Sequence, residues 1–180
     1  AENKKTILIL GGSLGARTLN DAMLTLASDG VKAENQYIWQ CGKYYFDGLK
    51  TKFSEKENSN IKLMAFISRM DAAYSAADVI VSRAGALSVS ELCLIGKPVI
   101  LVPSPNVSED HQTKNAMSLV NADAAIMVRD GDCDSELIKN VNTLLNDREL
   151  SDRLSKNILS LARPNATSDI VSESENILLK

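Results

Sequence analysis

One stretch decides how the rest of the chain is organised: Val79-Ile80-Val81-Ser82-Arg83-Ala84-Gly85-Ala86-Leu87-Ser88-Val89-Ser90-Glu91. It begins as a short apolar run typical of a buried strand, turns tightly at Gly85, and continues as a helix. A helix that begins in this way leaves the backbone N–H groups of Ala86, Leu87 and Ser88 without partners inside the helix, at the positive end of its dipole. The stretch therefore predicts an anion site, most often a site for phosphate.

Glu91 lies one helical turn further along, roughly 5 Å down the helix axis. This matches the step from a nucleotide's phosphate to its ribose, and a carboxylate can accept hydrogen bonds from both hydroxyls of a diol. The alternative is an ordinary buried strand–helix unit in which Glu91 is a solvated helix acid. The stretch alone leaves both interpretations open.

Outside this stretch, short apolar runs alternate with helical patterns. Strands are predicted at residues 6–10, 37–40, 61–65, 78–82, 98–102 and 124–128, and helices near 16–28, 44–54, 69–76, 86–95 and 111–121. Three further helices are predicted at 132–146, 148–162 and 166–179, the first with Asp132 or Asp134 as its N-cap. The pattern predicts one α/β domain over residues 1–180, a doubly wound, Rossmann-like parallel sheet of six strands with helices on both faces.

Composition excludes several classes of function. The 180 residues carry a net charge of −3 without a strongly basic block, which argues against a nucleic-acid partner. Cys41, Cys93 and Cys133 are too far apart in sequence for a metal-ligand or redox pair, and the lone His111 cannot build a histidine metal site. We therefore expect no metal, no cofactor and reduced thiols in a cytoplasm. No membrane-spanning segment or signal peptide is visible, so we expect the chain itself to be soluble.

The first predicted strand ends in a glycine-rich turn, Gly11-Gly12-Ser13-Leu14-Gly15-Ala16-Arg17. Gly11 and Gly12 permit backbone angles that other residues resist, and Gly15 lets the following helix approach closely. Ser13 adds a hydroxyl near the helix N-terminus. In the strand order 3-2-1-4-5-6, strands 1 and 4 are neighbours, so this turn and the turn at Gly85 meet in one crevice. Two helix N-termini at one crevice suit a pyrophosphate.

Other nucleotide folds fit less well. The spacing Gly-Gly-Ser-Leu-Gly differs from G-x-G-x-x-G, and strand 2 ends in Gln40-Cys41-Gly42 where a dinucleotide dehydrogenase or a methyltransferase would carry an acid. A P-loop is excluded because no Lys-Ser or Lys-Thr follows Gly15. If the site holds a ribose, the acid is Glu91, which favours a nucleotide lying across strands 4 and 5.

Two further loops border the same edge of the sheet. After strand 5, Gln112 and Asn115 share one helix face, and their amides could bind sugar hydroxyls. The alternative is that Asp110 caps this helix and leaves both amides exposed. After strand 3, Ile67 and Met70 could lie against a flat base whose edge is read by the backbone, although apolar loop residues more often serve packing.

With these residues, the chain resembles the C-terminal, donor-binding half of the MurG family of glycosyltransferases, which have the two-domain GT-B fold. The likeness covers nearly the whole chain. It rests on Gly-Gly-Ser-x-Gly-Ala-Arg at 11–17, Phe66-Ile67 before Met70, the Arg-x-Gly-Ala-x-Ser-x-x-Glu motif at 83–91, and His111-Gln112 with Asn115-Ala116. The motif at 83–91 is the most specific of these. The family transfers N-acetylglucosamine from UDP-N-acetylglucosamine to a lipid-linked muramoyl-pentapeptide in peptidoglycan synthesis, on which cell shape and division depend.

The resemblance implies a role for each matching residue. The backbone near Ile67 would bind uracil, Ser13 with the N–H groups of Leu87 and Ser88 would hold the diphosphate, and Glu91 would bind the ribose. Gln112, with Asn115 or His111 nearby, would contact the N-acetylglucosamine. Arg83 would add positive charge or make a structural ion pair. The full predicted set is Ser13, Gly15, Ile67, Met70, Arg83, Gly85, Ala86, Leu87, Ser88, Glu91, His111, Gln112 and Asn115.

In the family, the N-terminal half supplies the acceptor site, the catalytic base and the patch that faces the cytoplasmic side of the inner membrane. Because the chain lacks this half, we expect weak UDP-sugar binding, no catalytic residue and no transfer. The helix at 166–179 would pack against the missing half, and a homodimer is another way to cover its apolar face. Two alternatives stay open: the donor half of another GT-B enzyme or UDP-sugar epimerase, and a non-catalytic nucleotide-binding domain.

Overall fold

The chain folds around one sheet of six parallel strands. In this computed structural model, which describes residues 4–53, 58–106 and 110–178, the strands are β1 (Lys5–Leu10), β2 (Asn35–Gln40), β3 (Ile61–Met64), β4 (Val79–Ser82), β5 (Val99–Leu101) and β6 (Ile126–Met127). Their order is β3-β2-β1-β4-β5-β6, and every neighbouring pair is parallel. The predicted doubly wound sheet, with β1 beside β4, is confirmed.

Eight helices accompany the strands within the described residues. They are α1 (Arg17–Asp29), α2 (Lys43–Lys52), α3 (Met70–Ala76), α4 (Ala86–Ile95), α5 (His111–Asn121), α6 (Cys133–Asn146), α7 (Arg148–Ser160) and α8 (Ala166–Leu178). The predicted helix ends at Ser54 and Leu179 lie outside the described residues, as do positions 55–57 of the predicted loop before β3 and 107–109 of the loop after β5. Every predicted helix is present, with ends that differ by no more than a few residues.

The apolar character of the strands follows from burial on both faces of the sheet. Along β1, Ile7 and Ile9 pack into one hydrophobic core, while Leu8 points into a second core on the opposite face. The first core contains side chains from α1, α2 and α6, and the second contains side chains from α3, α4 and α5. The loops at the carboxyl ends of the strands are thus presented from a rigid, two-sided scaffold.

Three local predictions differ from the structure in detail. The sixth strand, predicted over five residues, pairs only at Ile126 and Met127, because it is an edge strand whose single neighbour, β5, is itself three residues long. Asp132 occupies the N-cap position of α6, with Asp134 in the first turn, but its side chain makes no capping hydrogen bond. Asp110 likewise precedes α5 without capping it and has a left-handed backbone, with φ of 53°.

α8 differs from the other helices because none of its residues is buried. Ile170 and Ile177 are each 67% exposed, and Leu178 is 84% exposed. Such a row of large apolar side chains in water is typical of a surface that another element covers. Within the described ranges, none of the helices has the length and apolarity that crossing a lipid bilayer demands.

Candidate functional site

The turn after β1 is shaped by close backbone contacts. Gly12 and Gly15 have φ of 81° and 85°, a region that side chains disfavour, and the Gly15 N–H donates to the Gly12 carbonyl at 3.0 Å. Gly11 does not have a positive φ, contrary to expectation; a Cβ there would instead be in tight contact, 3.0 Å from the backbone of Gln40. The turn exposes Ser13 four residues before α1 begins at Arg17.

The start of α4 is open, as the sequence predicts. Gly85 is its N-cap and no side chain caps it. The first N–H to donate along the helix is that of Val89, to the Gly85 carbonyl at 2.9 Å, so the three N–H groups before it have no acceptor inside the helix. Ala86 and Leu87 are exposed and Ser88 is half-buried. An anion can therefore reach this helix end from solvent.

Both turns border one cavity of about 200 Å³ at the carboxyl edge of the sheet. Six of the predicted site residues line it: Ser13, Ile67, Met70, Arg83, Ser88 and Glu91. Gly15, Gly85, Ala86 and Leu87 do not line it. Gly15 instead packs against the backbone of Cys41 and Gly42 after β2, while Gly85 and the exposed Ala86 and Leu87 form the start of α4 beside the cavity. The predicted juxtaposition of the β1 and β4 turns is therefore present, with the loop after β3 on their border.

Gln112 and Asn115, the amides of α5 predicted to bind a sugar, hydrogen-bond to the backbone of the chain itself. The Gln112 Oε1 accepts a hydrogen bond from the Ser104 N–H at 2.9 Å, and the Asn115 Nδ2 donates to the Ala84 carbonyl at 3.0 Å. Both side chains are half-buried rather than exposed, and His111 is exposed at the first position of the helix. Gln112 thus binds the loop after β5 and Asn115 binds the turn after β4, and their contact with a sugar stays a prediction.

Glu91 has a partner that the sequence did not suggest. The Tyr74 hydroxyl donates to the Glu91 Oε2 at 3.1 Å, although Tyr74 belongs to α3 and only 6% of it is exposed. Burial is the largest cause that raises the pKa of Tyr74, followed by the charge and hydrogen bond of Glu91. The hydroxyl therefore remains a donor at ordinary pH. From sequence, Tyr74 is simply an apolar-face residue of α3.

Arg83 takes part in an ion pair, one of the two roles left open for it. Its Nη1 pairs with Asp130 and donates to the Val102 carbonyl at 3.0 Å, while the Thr18 hydroxyl donates to the other Asp130 oxygen at 2.7 Å. The network joins the first turn of α1 to the ends of β4, β5 and β6. Burial, followed by the charge of Asp130, raises the pKa of the adjacent Cys133 thiol to about 12.

Gln40 links the loops after β1 and β3 on the other side of the cavity. It is another site residue that sequence reasoning missed. It is 5% exposed, and its Nε2 donates to the Gly12 carbonyl at 2.8 Å and, more weakly, to the Ala65 carbonyl at 3.4 Å. Its position at the end of β2, where dinucleotide-binding folds carry an acid, was the available signal. Among the residues that the structure describes, no group of three His, Cys, Asp or Glu side chains is arranged to hold a metal ion.

Residues 6–170 match the family described as "Glycosyltransferase family 28 C-terminal domain". The chain is 55% identical over 172 residues to the UDP-N-acetylglucosamine–N-acetylmuramyl-(pentapeptide) pyrophosphoryl-undecaprenol N-acetylglucosamine transferase of Flavobacterium psychrophilum, covering 95% of this chain and 46% of the relative. The transferase of the same name from Parabacteroides distasonis is 48% identical over 177 residues, covering 98% and 48%.

A solved structure, that of Acinetobacter baumannii MurG, has the same architecture. It superposes with a TM-score of 0.83 at 32% sequence identity and covers 98% of this chain, which in turn covers 51% of the solved chain. The chain thus spans about half the length of the curated relatives it matches.

Proposed function

The chain belongs to the glycosyltransferase family 28 C-terminal domains, and from this premise we propose that it is the donor-binding half of an inverting transferase. The donor is UDP-N-acetylglucosamine, and the acceptor is the lipid-linked muramoyl-pentapeptide precursor of peptidoglycan. The names of the two relatives above support this choice over another GT-B enzyme, an epimerase or a non-catalytic domain. One observation carries the proposal: Ser13, the open start of α4 and Glu91 border a single cavity.

Each part of the donor has a proposed place at this cavity. The diphosphate lies at the N–H groups of Leu87 and Ser88, with Ser13 opposite, because these donors require no metal to offset the phosphate charge. Glu91 accepts from the ribose hydroxyls. The backbone near Ile67 binds the uracil edge while Met70 lies against the base. Gln112 keeps its Nε2 group for the sugar, with Asn115 and His111 on the same helix.

The proposed reaction is a single displacement at the anomeric carbon. The acceptor hydroxyl oxygen forms a bond to that carbon while the bond from the carbon to the β-phosphate oxygen breaks, which inverts the anomeric configuration. UDP leaves with the bonding electron pair, and the acceptor's proton passes to a base in the other half of the enzyme. The role of this chain is to stabilise the charge that develops on the departing diphosphate through preorganised N–H donors.

The remaining half would supply the acceptor site and the contact with the cytoplasmic face of the inner membrane. We propose that residues 1–180 form a single donor domain and that α8 packs across to that half, because it presents large apolar side chains and buries none of its residues here. This chain alone would then bind the donor weakly and transfer nothing, and a homodimer formed through α8 is the alternative way to cover that face.

Calorimetric titration with UDP-N-acetylglucosamine, UDP and ADP tests the proposal. We expect both uridine nucleotides to bind and ADP to bind at least about tenfold more weakly, because one edge of the base is bound by a fixed backbone. Added EDTA leaves the affinities unchanged if N–H groups alone hold the diphosphate. Equal binding of UDP and ADP, or no binding of any nucleotide, would contradict the proposal.

Glu91→Ala tests the ribose role directly. We expect UDP to bind roughly tenfold more weakly, because a hydrogen bond to a charged group contributes about 1.5–3 kcal/mol. The matched control is Glu149→Ala, which removes an exposed helix carboxylate from α7, outside the cavity, and should leave the affinity unchanged. An unchanged affinity in the Glu91 variant would remove this residue from the site.

A further inference from the structure

Glu91 alone is a poor recognition element. It is exposed in the second turn of α4, and a free glutamate side chain in water samples several rotamers. Holding such a side chain in one rotamer for a ligand costs conformational entropy. A site that depends on this carboxylate therefore gains affinity from any neighbour that fixes it before the ligand arrives.

Tyr74 is placed to do this. Its ring packs within the hydrophobic core formed by β1, α3 and α4, and its hydroxyl reaches Glu91 from a different helix at 3.1 Å. A tyrosine has few rotatable bonds, and burial removes the remaining freedom, so the donor is held by the core. Tyr74 also lines the cavity together with Glu91, Ser88 and Met70.

We propose that Tyr74 is a positioning residue that fixes the Glu91 carboxylate and thereby sets the preference of this cavity for a sugar carrying a vicinal diol. The inference rests on the proposed function, in which Glu91 binds the ribose. One carboxylate oxygen accepts the Tyr74 hydroxyl, while the second oxygen and the remaining lone pairs accept the two ribose hydroxyls. Tyr74 itself touches no ligand in this arrangement.

The hydrogen bond between Tyr74 and Glu91 joins two residues that line the cavity, so it affects which ligands the cavity prefers. A site whose polar groups are prearranged for a hydroxyl discriminates strongly against a ligand without it, because the desolvated carboxylate is then left unpaired. Without Tyr74, the carboxylate can swing towards solvent, where water hydrates it, and it must be ordered again before it can accept from the diol. Loss of the phenol should therefore weaken binding of the diol ligand while hardly changing binding of a ligand that lacks the diol.

The experiment measures dissociation constants for UDP and 2′,3′-dideoxy-UDP with the unmodified chain, Tyr74→Phe, Glu91→Gln and the double variant. We expect the phenylalanine variant to lose about fivefold in UDP affinity and less than about twofold in dideoxy-UDP affinity. In the Glu91→Gln background, adding Tyr74→Phe should change neither constant. Tyr37→Phe is the matched control, since it removes another buried tyrosine hydroxyl outside the cavity and should preserve the ratio of the two constants.

The outcomes distinguish a failure of the positioning role of Tyr74 from a failure of the proposed function. If the unmodified chain binds UDP and prefers it to the dideoxy nucleotide, but Tyr74→Phe keeps the same ratio, the positioning role is wrong and the proposed function stands. An equal loss for both ligands would show a purely structural effect and would also overturn the inference. If the unmodified chain binds neither nucleotide, the proposed function itself fails. Because both constants are measured on the same protein sample, partial unfolding of Tyr74→Phe would weaken both apparent affinities equally, so the ratio of the two constants still tests the positioning role.

Discussion

At the scale of single residues, two glycines from different loops hold the candidate site together. A Cβ on Gly42 would lie 2.4 Å from the Gly15 Cα, and a Cβ on Gly15 would lie 2.2 Å from the Cys41 carbonyl oxygen. Both residues also have φ above 80°. The turn after β1 and the turn after β2 thus touch backbone to backbone, which leaves no room for any side chain between them.

We expect Gly15→Ala to destabilise the chain by at least about 2 kcal/mol, because the new Cβ meets backbone and the φ is unfavourable for alanine. Urea unfolding followed by circular dichroism measures this. The matched control is Gly48→Ala, a helical glycine of α2 where an added Cβ would have nothing within 4 Å; there, alanine should stabilise by about 0.5–1 kcal/mol. Similar effects at the two positions would contradict the packing argument.

Residue positions were predictable where they depend on local backbone, and contacts were missed where they depend on a partner far along the chain. The open start of α4 at Gly85 and the position of Ser13 at the cavity follow from local sequence. The bond between Tyr74 and Glu91 does not, because a core-facing tyrosine in a short helix has the same pattern whether or not its hydroxyl finds an acceptor. Asp130 was missed for a similar reason, since its partner Arg83 is 47 residues away.

At the scale of elements, the Arg83–Asp130 pair fastens the sheet edge to α1. Asp130 follows β6, a strand that pairs at only two residues, and it receives hydrogen bonds from both Thr18 and Arg83. The two charged side chains are 14% and 19% exposed. In such surroundings a charge left without its partner is costly. The ion pair therefore holds the chain after β6 against α1 and the end of β4, where the two-residue pairing of β6 with β5 is short.

Asp130→Asn should therefore lower the free energy of unfolding by about 1–3 kcal/mol, because Arg83 would keep its half-buried charge without a counter-ion. Chemical denaturation is the measurement. The exposed pair Glu136–Lys139 supplies the control: Glu136→Gln should cost less than about 0.5 kcal/mol, as solvent screens that pair. Equal costs for the two substitutions would mean that the Asp130 pair contributes no more than a surface contact.

The order and type of the elements were predictable because short apolar runs alternate with segments of helical pattern. The ends of a strand were less predictable where they depend on hydrogen bonds to a neighbouring strand. β6 is shorter than its apolar run because β5 is its single neighbour in the described sheet. The acid before α5 illustrates another limit. Asp110 has the residue type of an N-cap, yet its left-handed backbone directs no side-chain bond to the helix.

At the scale of the whole molecule, the two-sided core of the sheet is complete without α8. Because this helix buries none of its residues, a chain that ends at Asn165 should unfold within about 0.5 kcal/mol of the full chain. Its UDP affinity should also be unchanged, and analytical ultracentrifugation should show a monomer even if the full chain forms a dimer. A large loss of stability on truncation would show that α8 belongs to the core of this domain.

The exposed row of apolar side chains on α8 also has a consequence for assembly. A helix of 13 residues that buries nothing is only marginally stable in water, so we expect a surface that covers it to stabilise it. In the proposed full enzyme, joining the halves would then be partly a coil-to-helix transition. Some of the contact energy would then be used to order this helix, which lowers the affinity gained for a given buried area.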